Sequence, residues 1–110
     1  MHPSSIPAVP VTALTPGALL LDVREDDEWA AGHAPDAVHV PLHDVPARLA
    51  ELPTDRPVDV VCHFGGRSAQ ATAFLLQRGV DARNVDGGMD AWERAGLPVV
   101  TDDGGPGRVL

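Results

Sequence analysis

Short apolar runs alternate along the chain with amphipathic stretches, and proline or glycine stands at each change. This is the pattern of a parallel sheet covered by helices. Leu19 to Val23 is apolar except for Asp22, as expected of a strand covered on both faces. Glu25 to Ala31 follows as a helix whose first turn holds four acids that complement its dipole. Gly32 is expected to end it with a positive φ. Val38 to Val40, closed by Pro41, reads as a second short strand. Asp44 is placed to cap a helix running to about Leu52, with Pro46 in the first turn, where a missing N–H is tolerated. Val58 to Cys62 is the strongest strand, its valines favouring a pleated surface. Ser68 to Arg78 reads as a helix capped by Gly79. Asn84 to Asp86 reads as a strand, and Gly88 to Ala95 as a helix stopped by Gly96 and Pro98. Val11 to Leu14 is placed to add an edge strand.

With 110 residues, 44% of them hydrophobic, the chain suits a single domain. Residues 11–100 carry the pattern, and the proline- and glycine-rich ends, 1–10 and 101–110, read as flexible tails. The one cysteine cannot form an internal disulfide, and it excludes zinc sites built on two or more thiolates. All eight basic residues are arginine. The absence of lysine removes Schiff-base chemistry, pyridoxal attachment and the lysine of a phosphate-binding loop. Tyrosine is absent too, so a nucleophile or acid must come from Cys62, a histidine, a carboxylate or a hydroxyl.

The net charge of −8 argues against nucleic acid or anionic lipid as a partner, since both are held first by a basic surface. The acidity is uneven. Positions 22–59 carry ten acids against three arginines, and positions 60–110 six against five, so the second half can host a small anion. No stretch reaches the roughly 18 apolar residues needed to span a bilayer. Residues 1–16 lack a leader signature. A cytoplasmic location is the expectation, with a monomer or weak homodimer as the state; an unpaired thiol suits a reducing compartment.

The informative feature is the position of Cys62 at the carboxyl end of the strongest strand, followed by His63, Phe64, Gly65, Gly66, Arg67 and Ser68 and then a helix. Ligand sites in open α/β sheets lie outside the carboxyl ends of strands. The two glycines let successive N–H groups curl inward, and the helix aims its positive end at the same point. Arg67 adds a forked cationic donor. Such surroundings favour the thiolate, which is the nucleophilic form. A lone cysteine in a valine-rich strand is otherwise a small buried hydrophobe, but that role calls for none of these neighbours.

The segment Cys62-His63-Phe64-Gly65-Gly66-Arg67-Ser68 resembles the active loop of the single-domain rhodaneses, Cys-x-x-Gly-x-Arg-Ser. Leu21-Asp22-Val23-Arg24, with Glu28-Trp29, Gly32-His33, Pro35, Ala37 and Pro41, is similar to the family's upstream signature. Gly87-Gly88, Ala91-Trp92 and Gly96-Leu97-Pro98 are similar to its closing one. The resemblance spans about residues 11–100. It implies a rhodanese-like α/β fold, a five-stranded parallel sheet with helices on both faces. It also implies sulfur transfer from thiosulfate or a related anionic donor to a thiol or cyanide through a persulfide on Cys62, with no metal or organic cofactor.

In that reading the loop N–H groups stabilise the persulfide while Arg67 either orients the donor or serves a structural pairing. A persulfide carrier or regulatory module working with protein donors and acceptors is the alternative, for which Phe64 at the loop tip is the docking candidate. Phosphatases and arsenate reductases of related topology carry five residues between cysteine and arginine, against four here. Asp22 and Arg24, at the end of a neighbouring strand, are expected to support the site, Arg24 by bonding a carboxylate such as Glu28. His63 is placed to tune the thiol or to face solvent. His33, His39 and His43 lack metal-like partners, and Trp29 and Trp92 read as core anchors.

Overall fold

Alternation within each strand divides the core into two layers. Leu21, Val58, Val60 and Cys62 face one side of the sheet with Ala71 and Leu75, while Leu20, Val61 and Val85 face the other with Met89 and Trp92. The computed structural model describes residues 6–110. Its strands are β1 (Ala8–Pro10), β2 (Leu19–Asp22), β3 (Val38–His39), β4 (Val58–Val61) and β5 (Ala82–Asp86), and its helices are α1 (Asp26–Ala31), α2 (Gly66–Gln77) and α3 (Gly88–Arg94). The strands form one five-stranded sheet in the order β1-β5-β4-β2-β3, every pair parallel. The expected α/β class and sheet are therefore present. No helix among the described residues is long and apolar enough to cross a membrane.

The edge strand lies earlier than Val11 to Leu14. Ala8 to Pro10 pairs with Asn84 to Asp86, and Asn84 N–H bonds the Pro7 carbonyl at 2.8 Å. Prolines are tolerated there because an edge strand pairs on one side only. This brings part of the expected N-terminal tail into the sheet; residues 1–5 of that tail lie outside the described residues.

The helix expected from Asp44 to Leu52 is two short 3-10 turns, Leu42–Asp44 and Leu49–Glu51. The chain turns helical already at Leu42, so Pro46 falls beyond the first turn and has no N–H to give the Leu42 carbonyl; the Val45 N–H bonds it instead at 3.2 Å.

The segment after residue 100, expected as a tail, packs back on α1. His33 and Val100 exchange backbone hydrogen bonds of 2.9 Å, and the Arg108 N–H reaches the Ala31 carbonyl at 2.9 Å. Gly32 does not take a positive φ in the left-handed region; its φ of 165° is extended. Its role is room, because a Cβ there would stand 2.5 Å from the Arg108 backbone nitrogen.

Candidate active site

β4 delivers Cys62 to the carboxyl edge of the sheet, on the α2 side. The chain then turns through His63, Phe64 and Gly65 into α2. Gly65 takes φ +121°, a value open to glycine, and so turns the chain into α2 while its N–H stays on the sulfur. Cys62 Sγ accepts from Gly65 N–H at 3.1 Å and from Ser68 N–H at 3.3 Å, and lies 3.2 Å from Ser68 Oγ. The residue is 1% exposed. The first N–H groups of a helix lack intrahelical partners, and in α2 the Ser68 N–H spends its capacity on the sulfur.

Two elements outside the loop fasten it. Met89 N–H donates to the Cys62 carbonyl at 2.8 Å and Asp90 N–H to the His63 carbonyl at 2.9 Å, which tips the first turn of α3 onto the loop. Gly88, at φ +57°, lies flat against both carbonyls; a Cβ would stand 2.4 Å from the Cys62 oxygen. From β5, Asn84 Nδ2 donates to the Gly65 carbonyl at 3.2 Å, and Asn84 Oδ1 accepts from the Ser68 hydroxyl at 2.5 Å. Neither Asn84 nor Gly88 stands out as a site residue in the sequence reading. The available signal was that Asn84 to Gly88 closes the strand beside β4, so its carboxyl end opens on the same crevice.

Arg67 lays its two terminal nitrogens on the Glu28 carboxylate at 2.6 and 2.9 Å. These bonds hold Glu28 down at about 2, against the upward push of burial and with help from the Glu25 backbone N–H. The same bonds raise Arg67 further. The expected bond between Arg24 and Glu28 is not made. Arg24 instead bonds Asp22 through Nε and Nη2 at 2.8 to 3.1 Å and the Gly32 carbonyl at 2.8 Å, with both side chains buried. The pair thus joins the end of β2 to the end of α1, and the support it gives the loop is indirect. Arg24 lies next to Asp22 on the same strand end, which is why it outcompetes Glu28.

His63 and Phe64 stack at 4.0 Å on the outer face of the loop, where Phe64 is 66% exposed. Trp92 is a core anchor, with its Nε1 donating to the Pro98 carbonyl at 2.9 Å. Trp29 is not: it is stacked between His33 at 3.6 Å and His39 at 4.8 Å, and its Nε1 donates to Asp102 at 3.2 Å. Among the described residues, no group of three or more His, Cys, Asp or Glu is arranged to hold a metal ion.

A parallel five-stranded α/β sheet with a cysteine cradled by backbone N–H groups at its carboxyl edge defines the class. The model of the rhodanese-like domain matches residues 12–95. The chain belongs to the rhodanese-like domain family. It is 45% identical over 91 residues to a sulfurtransferase of Allochromatium vinosum, covering 82% of this chain and 85% of the relative. It is 39% identical over 89 residues to the thiosulfate sulfurtransferase GlpE of Pseudomonas savastanoi, covering 80% and 83%. Among solved structures it is similar to a rhodanese-related protein of Thermoplasma volcanium, with a TM-score of 0.83 and 30% identity over 87% of this chain and 99% of that one.

Proposed function

We propose that this chain is a sulfurtransferase that takes the outer sulfur of thiosulfate, or of a similarly small anionic donor, onto Cys62. The observation that carries the reading is the pair of backbone N–H groups, from Gly65 and Ser68, aimed at Cys62 Sγ. They favour a thiolate in the free protein and an anionic persulfide afterwards. The thiolate attacks the outer sulfur, the S–S bond of thiosulfate breaks, and sulfite leaves with the bonding pair. Cyanide or a thiolate then attacks the terminal sulfur of the persulfide, leaving as thiocyanate or as a new persulfide and returning Cys62 to the thiolate. No net electron is lost or gained, and no metal or organic cofactor is required.

The N–H groups of Gly66 and Arg67 belong to the first turn of α2, where N–H groups lack intrahelical partners, and would be available to the donor's sulfonate. Because Arg67 is committed to Glu28, its role is to fix the loop and lend positive charge; it is not the donor's main ligand. The near-complete burial of Cys62 suits a small donor. Names of the relatives support the same class of reaction, and a reducing cytoplasm would suit the free thiol.

A second reading, delivery of the sulfur to a protein thiol, is favoured by exposed Phe64 beside the loop mouth and by the persulfide itself, which carries the terminal sulfur about 2 Å outward. The test is the rate of thiocyanate formation from thiosulfate and cyanide. Wild-type protein is expected to turn over and Cys62→Ser to fold but give no thiocyanate; equal rates would overturn the assignment.

A further inference from the structure

We infer that Asn84 is a positioning residue that controls the ionisation of Cys62 by competing with its sulfur for the single hydroxyl proton of Ser68. The inference rests on the reading of Cys62 as a reactive thiolate. Its orientation is fixed by chemistry. The Gly65 carbonyl can only accept, so the Asn84 amide nitrogen must face it, which leaves Oδ1 toward Ser68. Ser68 Oγ is then the donor to Oδ1 at 2.5 Å. The same oxygen lies 3.2 Å from Cys62 Sγ, and Ser68 is fully buried, so no solvent substitutes for either partner.

A hydroxyl has one proton to give. While Cys62 is a thiol, the chain is satisfied throughout: S–H donates to Ser68 Oγ, and Ser68 O–H to Asn84. When Cys62 loses its proton, the thiolate keeps the N–H groups of Gly65 and Ser68 and gains from a third donor, and the Ser68 hydroxyl can turn to it only by abandoning Asn84. Asn84 Oδ1 therefore stabilises the thiol, and Nδ2, by donating to the Gly65 carbonyl, fixes the amide with Oδ1 toward Ser68. The charged and titratable groups on the elements around this centre are Arg67 of α2, Glu28 and Glu25 beside it, His63 of the loop, the buried Asp22 and Arg24 at the end of β2, Asp86 at the end of β5 and Asp90 in the first turn of α3. None of them is altered by substitution at Asn84.

The test is the pH dependence of Cys62 alkylation by iodoacetamide, which needs no sulfur donor and so reports on this inference even where sulfur transfer fails. Asn84→Leu removes the competitor and is expected to lower the alkylation midpoint by roughly half to one pH unit, the size of one hydrogen bond. Asn84→Asp places a negative charge on the same oxygen and is expected to raise it by at least as much. In a Ser68→Ala background, Asn84→Leu is expected to leave the midpoint where Ser68→Ala alone puts it. Midpoints that stay at the wild-type value, or that move in the same direction in both Asn84 variants, would overturn the inference. So would an undiminished effect of Asn84→Leu without the hydroxyl, and that comparison holds even where Asn84→Asp does not fold.

Discussion

Arg67, in the first turn of α2, and Glu28, in α1, are joined through two parallel hydrogen bonds of 2.6 and 2.9 Å. The carboxylate also accepts the Glu25 N–H at 3.0 Å, so one side chain secures both the start of α1 and the residue that follows the cysteine loop. A forked guanidinium matches a carboxylate in this way and a lysine cannot.

The pair makes stability depend on acid. Glu28 is held at about 2 in the folded chain against an ordinary 4.5. Its contribution is therefore present above the ordinary value and is lost as pH falls from about 4.5 toward 2. Wild-type protein is expected to lose thermal midpoint across that interval more steeply than Glu28→Gln, measured by calorimetry in a pH series. Because Arg67 is partly exposed, the loss at neutral pH in Glu28→Gln should be only about 1 kcal/mol. Parallel curves for the two proteins would show that the pair does not carry the acid sensitivity.

The buried pair behaves differently. Removing Asp22 leaves the Arg24 guanidinium buried with the Gly32 carbonyl alone. Asp22→Ala is expected to cost about 3–5 kcal/mol in a urea melt, and Asp22→Leu combined with Arg24→Met much less, since an apolar pair leaves no charge uncompensated. Equal losses in the two proteins would mean that packing, rather than charge, governs this corner.

Gly88 has no room for a side chain, its would-be Cβ meeting the carbonyls of Cys62 and His63. Gly88→Ala is expected to destabilise by roughly 1–3 kcal/mol and, by displacing the cysteine loop, to slow thiocyanate formation on the order of tenfold or more. Circular dichroism separates the two effects: a native spectrum with slowed turnover is the expected result, and native turnover would show that the loop tolerates the shift.

Much of this arrangement was legible in the residues because the local signals and the packing agreed. Valine-rich β4 and the Gly-Gly-Arg-Ser turn after it mark the cysteine site without reference to any distant residue. The features that escaped the reading depend on partners far along the chain. Asn84 is an ordinary strand residue until β5 is laid beside β4. Arg67 had several carboxylates within reach of the sequence argument, and only the placement of α1 gives it Glu28, 39 residues earlier; Arg24 is the exception, taking Asp22 two residues away rather than the more distant Glu28.

The C-terminal segment departs from the expected tail for a related reason. Asp102-Asp103-Gly104-Gly105 looks like a solvated end, yet it forms a turn in which Thr101 N–H bonds the Gly105 carbonyl at 2.9 Å, and the returning segment reaches Ala31 through the gap left by Gly32. Pro46 ends the first turn rather than opening a helix because the helical turn begins two residues before Asp44.

The central claim is that Cys62 carries the transferred sulfur, and the most direct measurement is the intact mass of the protein after thiosulfate, taken without reductant. The account predicts a gain of about 32 Da, one sulfur atom, located on Cys62, discharged by cyanide and absent from Cys62→Ser. An unchanged mass with thiosulfate and with every other small sulfane donor, in protein whose Cys62 still alkylates, would contradict it.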